Sequence, residues 1–304
     1  MNYKIYKLSF TAPVHFGTGV LNESSIGLCA DTLFSALYIE AMKLGNAGEF
    51  YVAVKNQELL ISDAFPFMDN NYYLPKPMIY VEPKENGNSK IKKQYKKIKY
   101  IPADRMGDYL QGEVDPASCS LHMLGREYSQ VMAFVRRKEM EETLPYRVGN
   151  YLFNDKCGLY IIAVFENEDA QYMLEELFES LSYTGVGGKR SSGKGRFEFK
   201  NGKASESISR MLTANTGRYM LISSALPKAE EMDDAIKNAS YLLQKRSGFV
   251  YSEKYAEEQM KKRDLYTLQA GSCFNQQFAG DIYDVSENGA HAVYRYAKGL
   301  FLGV

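Results

Sequence analysis

Fifteen residues constrain the fold of this chain more than any other stretch. From Tyr183 to Phe197 there are five glycines, two serines and four cations, and the run sits between a helical pattern and a strand pattern. Before it, Met173, Leu174, Leu177, Phe178 and Leu181 recur at helical spacing, so Glu168–Leu181 is predicted as an amphipathic helix. Glu166, Glu168 and Asp169 stand at its dipole-favoured start. After it, Gly195-Arg196-Phe197-Glu198-Phe199 alternates as a strand does. A helix passed through a glycine loop into a strand is half of an αβ unit, and the rest of the chain has to supply the other half.

The N-terminus does so. Tyr3–Phe10 alternates as a half-buried strand, Pro13 to Gly19 makes a turn, and Leu33, Phe34, Leu37, Met42 and Leu44 form a helix closed by Gly45. Between the two halves of the unit lie short strands broken by Pro66, Pro75 and Pro77, then a polar stretch. Tyr146–Phe153 and Gly158–Phe165 follow as two strands that are expected to pair across Asn154-Asp155-Lys156. The order β-α-β-β-α-β with a large insertion is the ferredoxin-like arrangement. The polar segment Asn201–Ser209 makes a boundary, giving residues 1–205 and 206–304 as two domains. The second restarts with a strand at Tyr219–Ala225 and a helix predicted over Ala229–Gln244, with further strands to Leu302. The fold class is therefore α+β.

With 304 residues, 45% of them hydrophobic and 24% charged, each domain can bury a core. No run approaches the ~18 apolar residues of a membrane span, and the start reads as a strand, not a signal peptide. Collagen, coiled coil and bulk disorder are excluded too, and a cytoplasmic location is expected. Four scattered cysteines without a C-x-x-C pair argue against a disulfide framework or structural zinc. Three histidines without metal spacing leave no metal or cofactor expected.

Charge is segregated. The 37 cations and 37 acids cancel, but Lys84–Lys99 carries seven lysines against Glu85 alone. Gly187–Lys203 carries six cations against Glu198, whereas Cys157–Gly188 holds six acids and no cation. This suits a subunit with one anionic partner and other protein partners. The stretch around 82–100, including Lys92, Lys93 and Lys96, is too polar and too rich in turn residues to pack a core. It reads as a mobile insertion, or as a solvated lysine face with no ligand.

The glycine loop has the chemistry of a phosphate cradle. Glycine lets successive N–H groups turn toward an anion, and the interspersed cations add charge-assisted bonds. It is not a Walker A loop: Gly195 stands where Ser or Thr would reach Mg²⁺, and the loop opens a strand instead of a helix. Nor is it a dinucleotide fingerprint, since the sixth position from Gly185 is Arg190. The bland alternative is a glycine hairpin with incidental cations. His15, after the first strand, could act as a general acid/base in metal-free RNA cleavage, or be structural, or stack on RNA. Asp31 reads as an N-cap, with a metal-binding carboxylate as the alternative. Some of the 24 tyrosines could stack bases.

An ordered series of motifs now stands out: Thr11–Gly17, Cys29–Leu37, Ser62–Phe67, Leu74–Pro77, the glycine loop, Tyr241–Phe249, Asp264–Phe274 and His291–Leu302. Together they resemble the RAMP superfamily of CRISPR–Cas proteins. Within it they resemble the group of fourth Csm subunits of type III-A effector complexes, over essentially the whole chain. The resemblance implies two ferredoxin-like, RRM-related domains without catalysis of their own, a polar lysine-rich insertion in the first, and a role in antiviral defence. It implies a grip on the crRNA 5′ tag, contact with the large polymerase/nuclease subunit and with a backbone RAMP subunit, an indirect relation to target RNA, and no membrane. Carried over by position, the RNA-binding residues are His15, Phe16 and Gly17, then Gly185, Gly187, Gly188, Lys189, Arg190, Ser191, Ser192, Gly193, Lys194 and Arg196, with Arg246. A hairpin-like insertion reaching over the RNA is assigned to the lysine stretch with Lys92, Lys93 and Lys96. Two other readings stand beside it: a RAMP endoribonuclease that processes CRISPR transcripts with His15 as general acid/base, and a two-domain assembly protein that binds no nucleic acid.

Overall fold

The computed structural model describes residues 2–84, 89–133, 145–252 and 254–304. The chain begins β1 (Asn2–Phe10), α1 (Ala30–Leu44), α2 (Ala47–Lys55), β2 (Leu59–Ile61), β3 (Phe65–Met68) and β4 (Asn71–Pro75). Next come α3 (Ser89–Lys97), β5 (Tyr100–Pro102), α4 (Met106–Leu110), β6 (Gly125–Ala133), β7 (Pro145–Phe153), β8 (Cys157–Phe165), α5 (Glu168–Thr184) and β9 (Phe197–Asn201). The last part holds α6 (Glu206–Thr213), β10 (Tyr219–Leu221), α7 (Met232–Ile236), β11 (Leu243–Arg246), β12 (Leu265–Leu268), β13 (Cys273–Phe274), β14 (Gly280–Asp284), β15 (Tyr294–Lys298) and β16 (Phe301–Gly303).

A seven-stranded antiparallel sheet runs β5-β4-β3-β8-β1-β9, with β2 also paired to β8. Its centre is β8, an unbroken apolar run buried along all nine residues, as a strand covered on both faces must be. Alternation sends Leu159, Ile161, Ala163 and Phe165 to one face, against Leu33, Phe34 and Leu37 of α1 and Leu174, Phe178 and Leu181 of α5. Tyr160, Ile162 and Val164 go to the other, against Tyr95, Ile98, Tyr109 and Met220. Both helices sit where the apolar spacing placed them, and α1 closes on Gly45 in the left-handed conformation. Glu40 of α1, fully buried, accepts hydrogen bonds from Ser180 and Thr184 of α5 at 2.8 and 2.9 Å and locks the two together.

The last third is not packed apart from this sheet. Ile282 and Tyr296 join the helix-side core, while Ile208, Met220, Ile222, Leu300 and Leu302 join the other. Its strands form small antiparallel groups: β13-β10-β16, β11-β12 and β14-β15.

Three expectations are corrected. Strands β7 and β8 do not pair with each other: β7 forms a ribbon with β6, register Gly125↔Phe153 to Ala133↔Pro145, and β8 enters the sheet. Adjacency in sequence had suggested a hairpin, but β8 is buried on both faces whereas β6 is largely exposed. The helix predicted over Ala229–Gln244 shrinks to a 3₁₀ turn and α7, because Asn238 takes a left-handed turn and β11 then pairs with β12. The lysine stretch is not a coreless insertion where it is described. It folds as α3, its apolar Tyr95 and the adjacent Ile98 enter the core, and only its cationic face is left in solvent. The Asn86-Gly87-Asn88 turn of that expectation lies outside the described residues.

Candidate nucleic-acid interface

The glycine loop leaves α5 and folds onto the segment after β1. Gly188 N–H donates to the His15 carbonyl at 2.9 Å, and Gly195 N–H donates to that of Pro13 at 2.9 Å. Geometry requires glycine at several of these positions, two of them most plainly. A Cβ on Gly187, at φ +93°, would stand 2.8 Å from the His15 carbonyl oxygen and 2.9 Å from the Phe16 ring. One on Gly195, at φ +77°, would stand 2.0 Å from the Val186 oxygen. The family resemblance grouped His15–Gly17 with this loop, and they lie against it.

The loop is less of an anion cradle than its composition suggests. The N–H groups of Gly185, Val186, Gly188, Ser192, Gly193 and Gly195 already donate to protein carbonyls. The glycines serve close packing, and the cations divide among three tasks. Lys189, itself left-handed at φ +59°, lies over the Tyr146 ring at 4.7 Å with its Nζ 3.3 Å from the tyrosine hydroxyl. Lys194 is buried and donates to Gln130 Oε1 at 2.9 Å, its pKa lowered by that burial. Both therefore hold the β6–β7 ribbon, at Tyr146 and Gln130, away from its Gly125↔Phe153 end. Arg196 is exposed in a separate depression beside Glu175, Glu176 and Glu179 of α5. Arg190 faces the open groove. Ser191 and Ser192 sit exposed on the 3₁₀ turn that Gly193 closes.

That groove, about 1100 Å³, is walled by His15–Gly17, the 24–29 segment, Gly187, Gly188 and Arg190 on one side and by Gln244, Arg246, Phe249, Tyr251 and Lys262 on the other. Of the described lysines of that stretch, Lys99 reaches it, with Tyr100 beside it; Lys92, Lys93 and Lys96 stand exposed on α3 elsewhere, with Lys92 3.2 Å from Glu82. His15 is 7% exposed, and its Nδ1 lies 2.7 Å from the Gly149 carbonyl oxygen, so Nδ1–H donates there and fixes the tautomer.

Arg246 reaches the groove from a buried junction. Its Nε and NH2 bind Asp31 Oδ2 and Oδ1 at 2.9 and 2.6 Å, and Arg295 NH1 binds Oδ2 at 2.5 Å. Burial alone would raise the Asp31 carboxyl, but the two guanidiniums outweigh it and hold it below the usual carboxylate range. Asp31 is thus neither an N-cap nor a metal ligand. The N-cap of α1 is Cys29, and the free Ala30 N–H is taken at 2.7 Å by Asp63, which also accepts from Ser224 N–H and Oγ–H at 2.8 and 2.9 Å. Burial raises Asp63 to about 6 despite those donors. The break between β2 and β3 frees Asp63 to make this contact, a long-range pairing that local spacing could not reveal. Among the described residues no cluster of His, Cys, Asp or Glu could hold a metal ion, and no helix is long and apolar enough to cross a membrane.

Among the groove residues that escaped the sequence reading are Phe249, Tyr251 and Lys262. The two aromatics had a signal in Phe249-Val250-Tyr251, where they alternate around one apolar residue, which places both rings away from the core.

Comparison with known proteins gives this arrangement a family. Residues 214–304 match the family model of the CRISPR Csm4 C-terminal domain. The "CRISPR system Cms protein Csm4" of Mycobacterium tuberculosis (strain CDC 1551 / Oshkosh) is 34% identical over 306 residues, covering 100% of this chain and 98% of the relative. That of Streptococcus thermophilus is 34% identical over 310 residues, covering 99% and 98%. The fold is similar to a chain of the crystal structure of a Csm3–Csm4 subcomplex in the type III-A CRISPR-Cas interference complex. There the TM-score is 0.67 at 18% identity, covering 99% of both chains. It is also similar to one in a Csm1–Csm4 cassette in complex with cA4, with TM-score 0.65 at 19% identity, covering 100% and 98%. Motif order, fold and full-length identity agree: this chain belongs to the Csm4 family of CRISPR–Cas proteins.

Proposed function

We propose that this chain is a non-catalytic, cytoplasmic crRNA-binding subunit of a type III-A interference complex. It grips the 5′ tag in the groove between Gly187–Arg190 and Arg246–Lys262 and joins the large polymerase/nuclease subunit to the backbone subunits. The carrying observation is the groove itself, which gathers His15–Gly17, Gly187, Gly188, Arg190 and Arg246 from distant parts of the sequence. Solved Csm3–Csm4 and Csm1–Csm4 assemblies support partners of those two kinds. Splayed bases read on their edges, with 2′-hydroxyl contacts separating RNA from DNA, suit such a groove.

Two parts of the reading shift with the geometry. Of the loop cations, Arg190 is the one assigned to RNA, since Lys189 and Lys194 hold the ribbon and Arg196 faces acids. The hairpin-like insertion over the RNA is better matched by the β6–β7 ribbon, whose root adjoins the groove through Tyr151, than by α3; target RNA is then met through it. The proposed division remains residues 1–205 and 206–304. A ferredoxin-like reading of the first is supported by strand order β9-β1-β8-β3 with α1 and α5 in the two crossovers. The support in the second is the antiparallel β13-β10-β16 sheet.

The endoribonuclease reading gives the acid/base role to His15. Burial of the ring and the tie of Nδ1 to Gly149 weigh against it. The test is guide retention in the purified complex. Arg190→Ala should lower it and reduce the salt slope of RNA binding by roughly 0.7; unchanged retention removes the loop from the interface. The isolated chain with repeat RNA should give no cleavage.

A further inference from the structure

The wall of the groove opposite the glycine loop holds a constellation that the loop does not explain. Val250 points into the core, and its neighbours Phe249 and Tyr251 are 50% and 74% exposed. Both rings line the same groove, and a two-residue step of extended chain spans about 7 Å. That backbone is fixed: Phe249 bridges Lys261, Val250 N–H donates to the Met260 carbonyl at 2.9 Å, and Lys262 N–H donates to that of Gly248 at 2.8 Å. Two large rings held open on a rigid edge are a costly surface unless something covers them.

What would cover them is indicated by charge. The Arg190 guanidinium lies 4.9 Å from the Tyr251 ring centroid, and Lys261 Nζ lies 5.8 Å from that of Phe249. Lys262 lines the same groove beside Arg246 and is pushed below the ordinary lysine range, first by burial, then by Arg295 and Arg246, with Asp31 only partly offsetting. Asp31 is already shared by two arginines. Among the described residues the two carboxylates that line the groove, Glu23 and Glu127, belong to the opposite part of the chain. Uncompensated cations beside open aromatic faces complement phosphate and base together, as in single-stranded nucleic-acid sites.

We infer that Phe249, Tyr251, Arg190 and Lys262 form a seat for two unpaired nucleotides of single-stranded RNA, one base stacked on each ring and the phosphate between them at Lys262. This rests on the RNA-binding reading above and deepens it: the seat tolerates any base, because every base has a π face. Sequence discrimination then falls to other parts of the groove.

The test uses the full-length chain and a fluorescein-labelled, 12-nucleotide single-stranded RNA, read by anisotropy over a salt series. Phe249→Leu and Tyr251→Leu should each raise Kd about tenfold, Tyr251→Phe should stay within about twofold, and Lys262→Gln should lower the salt slope by roughly 0.7. Both rings are exposed, so circular dichroism should show folded variants. Wild-type binding with no change in the Leu variants overturns the seat and leaves the RNA-binding reading standing. Equal loss in Tyr251→Phe and Tyr251→Leu overturns the stacking, and an unchanged slope in Lys262→Gln overturns the phosphate contact. No binding by the wild-type chain overturns the reading and the seat together.

Discussion

Asp31→Ala is the substitution that most directly probes how the last third of the chain is held to the first. Asp31 is 2% exposed and is the shared acceptor for Arg246 and Arg295, whose side chains are 22% and 6% exposed. Removing it leaves one guanidinium buried and another partly buried without their counter-charge. The Arg295 Nε has no hydrogen-bond partner among the described residues even with Asp31 present. Breaking a buried pair in this way costs about 3–5 kcal/mol. Water in the groove relieves part of the cost at Arg246, so about 4 kcal/mol is expected. At about 2 °C per kcal/mol for a chain of this size, that is a fall in Tm of ~8 °C. Urea unfolding of the full-length chain, followed by far-ultraviolet circular dichroism, measures it. Asp31→Leu with Arg295→Met should recover part of the loss, since an apolar pair replaces a buried ion pair at little cost. A loss under about 1 kcal/mol, the value of an exposed ion pair, would refute the buried junction.

Other consequences follow from the same geometry. Asp63, raised to about 6, favours its protonated form in the folded state, so it contributes stability at pH below about 4 that is lost as pH rises through 6. The change is about 3 kcal/mol at most, and Asp63→Asn should flatten that part of the stability–pH curve; an unaltered slope counts against it. Asp31 has the opposite sign: depressed in the folded chain, it stabilises above about pH 4 and loses that contribution in acid. Gly195→Ala places a Cβ 2.0 Å from the Val186 oxygen, whereas Gly193→Ala meets nothing within 4 Å and bears only its positive φ. Chemical denaturation should therefore show a loss above about 2 kcal/mol for the first and about 1 kcal/mol for the second, and equal losses would contradict the close packing of the loop. Lys194→Met keeps the buried stem but drops the bond to Gln130, so amide exchange in β6 and β7 should quicken while that in β8 stays unchanged. Protection that stays intact across the ribbon would show that Lys194 does not hold it.

What the sequence revealed and what it hid divide along a physical line. Local periodicity exposed α1, α5, β1 and β8, because the helices each bury one stripe against the helix-side core and the strands bury alternate residues against the two cores. Gly45 and Gly187 were legible as turn or loop positions because only glycine tolerates those angles cheaply, whereas Gly195, read as the start of a strand, sits at φ +77° in the loop before β9 begins at Phe197. Pairing between distant segments was not legible. The β6–β7 ribbon depends on a partner strand, not on its own pattern, and α3 looked like solvent because seven of its residues are polar while only Tyr95 and Ile91 turn inward. Asp31 looked like a cap because a carboxylate at a helix start usually is one, and the two arginines that claim it come more than 200 positions later. At the candidate site, the glycine loop and His15–Gly17 were grouped by the family resemblance, but which cations face the groove depended on where the ribbon runs. Lys189 and Lys194 turned to the ribbon, and the second wall of the groove came from residues whose only sequence signal was alternation.

The central claim is that this groove holds RNA. It is tested most directly by co-expressing the chain with its large-subunit partner and a CRISPR array, purifying the complex, crosslinking it with ultraviolet light, and sequencing both the bound RNA and the crosslinked peptides. Guide RNAs sharing one repeat-derived 5′ tag are expected, crosslinked through the tag to peptides containing Phe16, Arg190 or Tyr251. Tagged guides recovered with crosslinks only to other subunits, or a stable complex carrying no RNA, would contradict it.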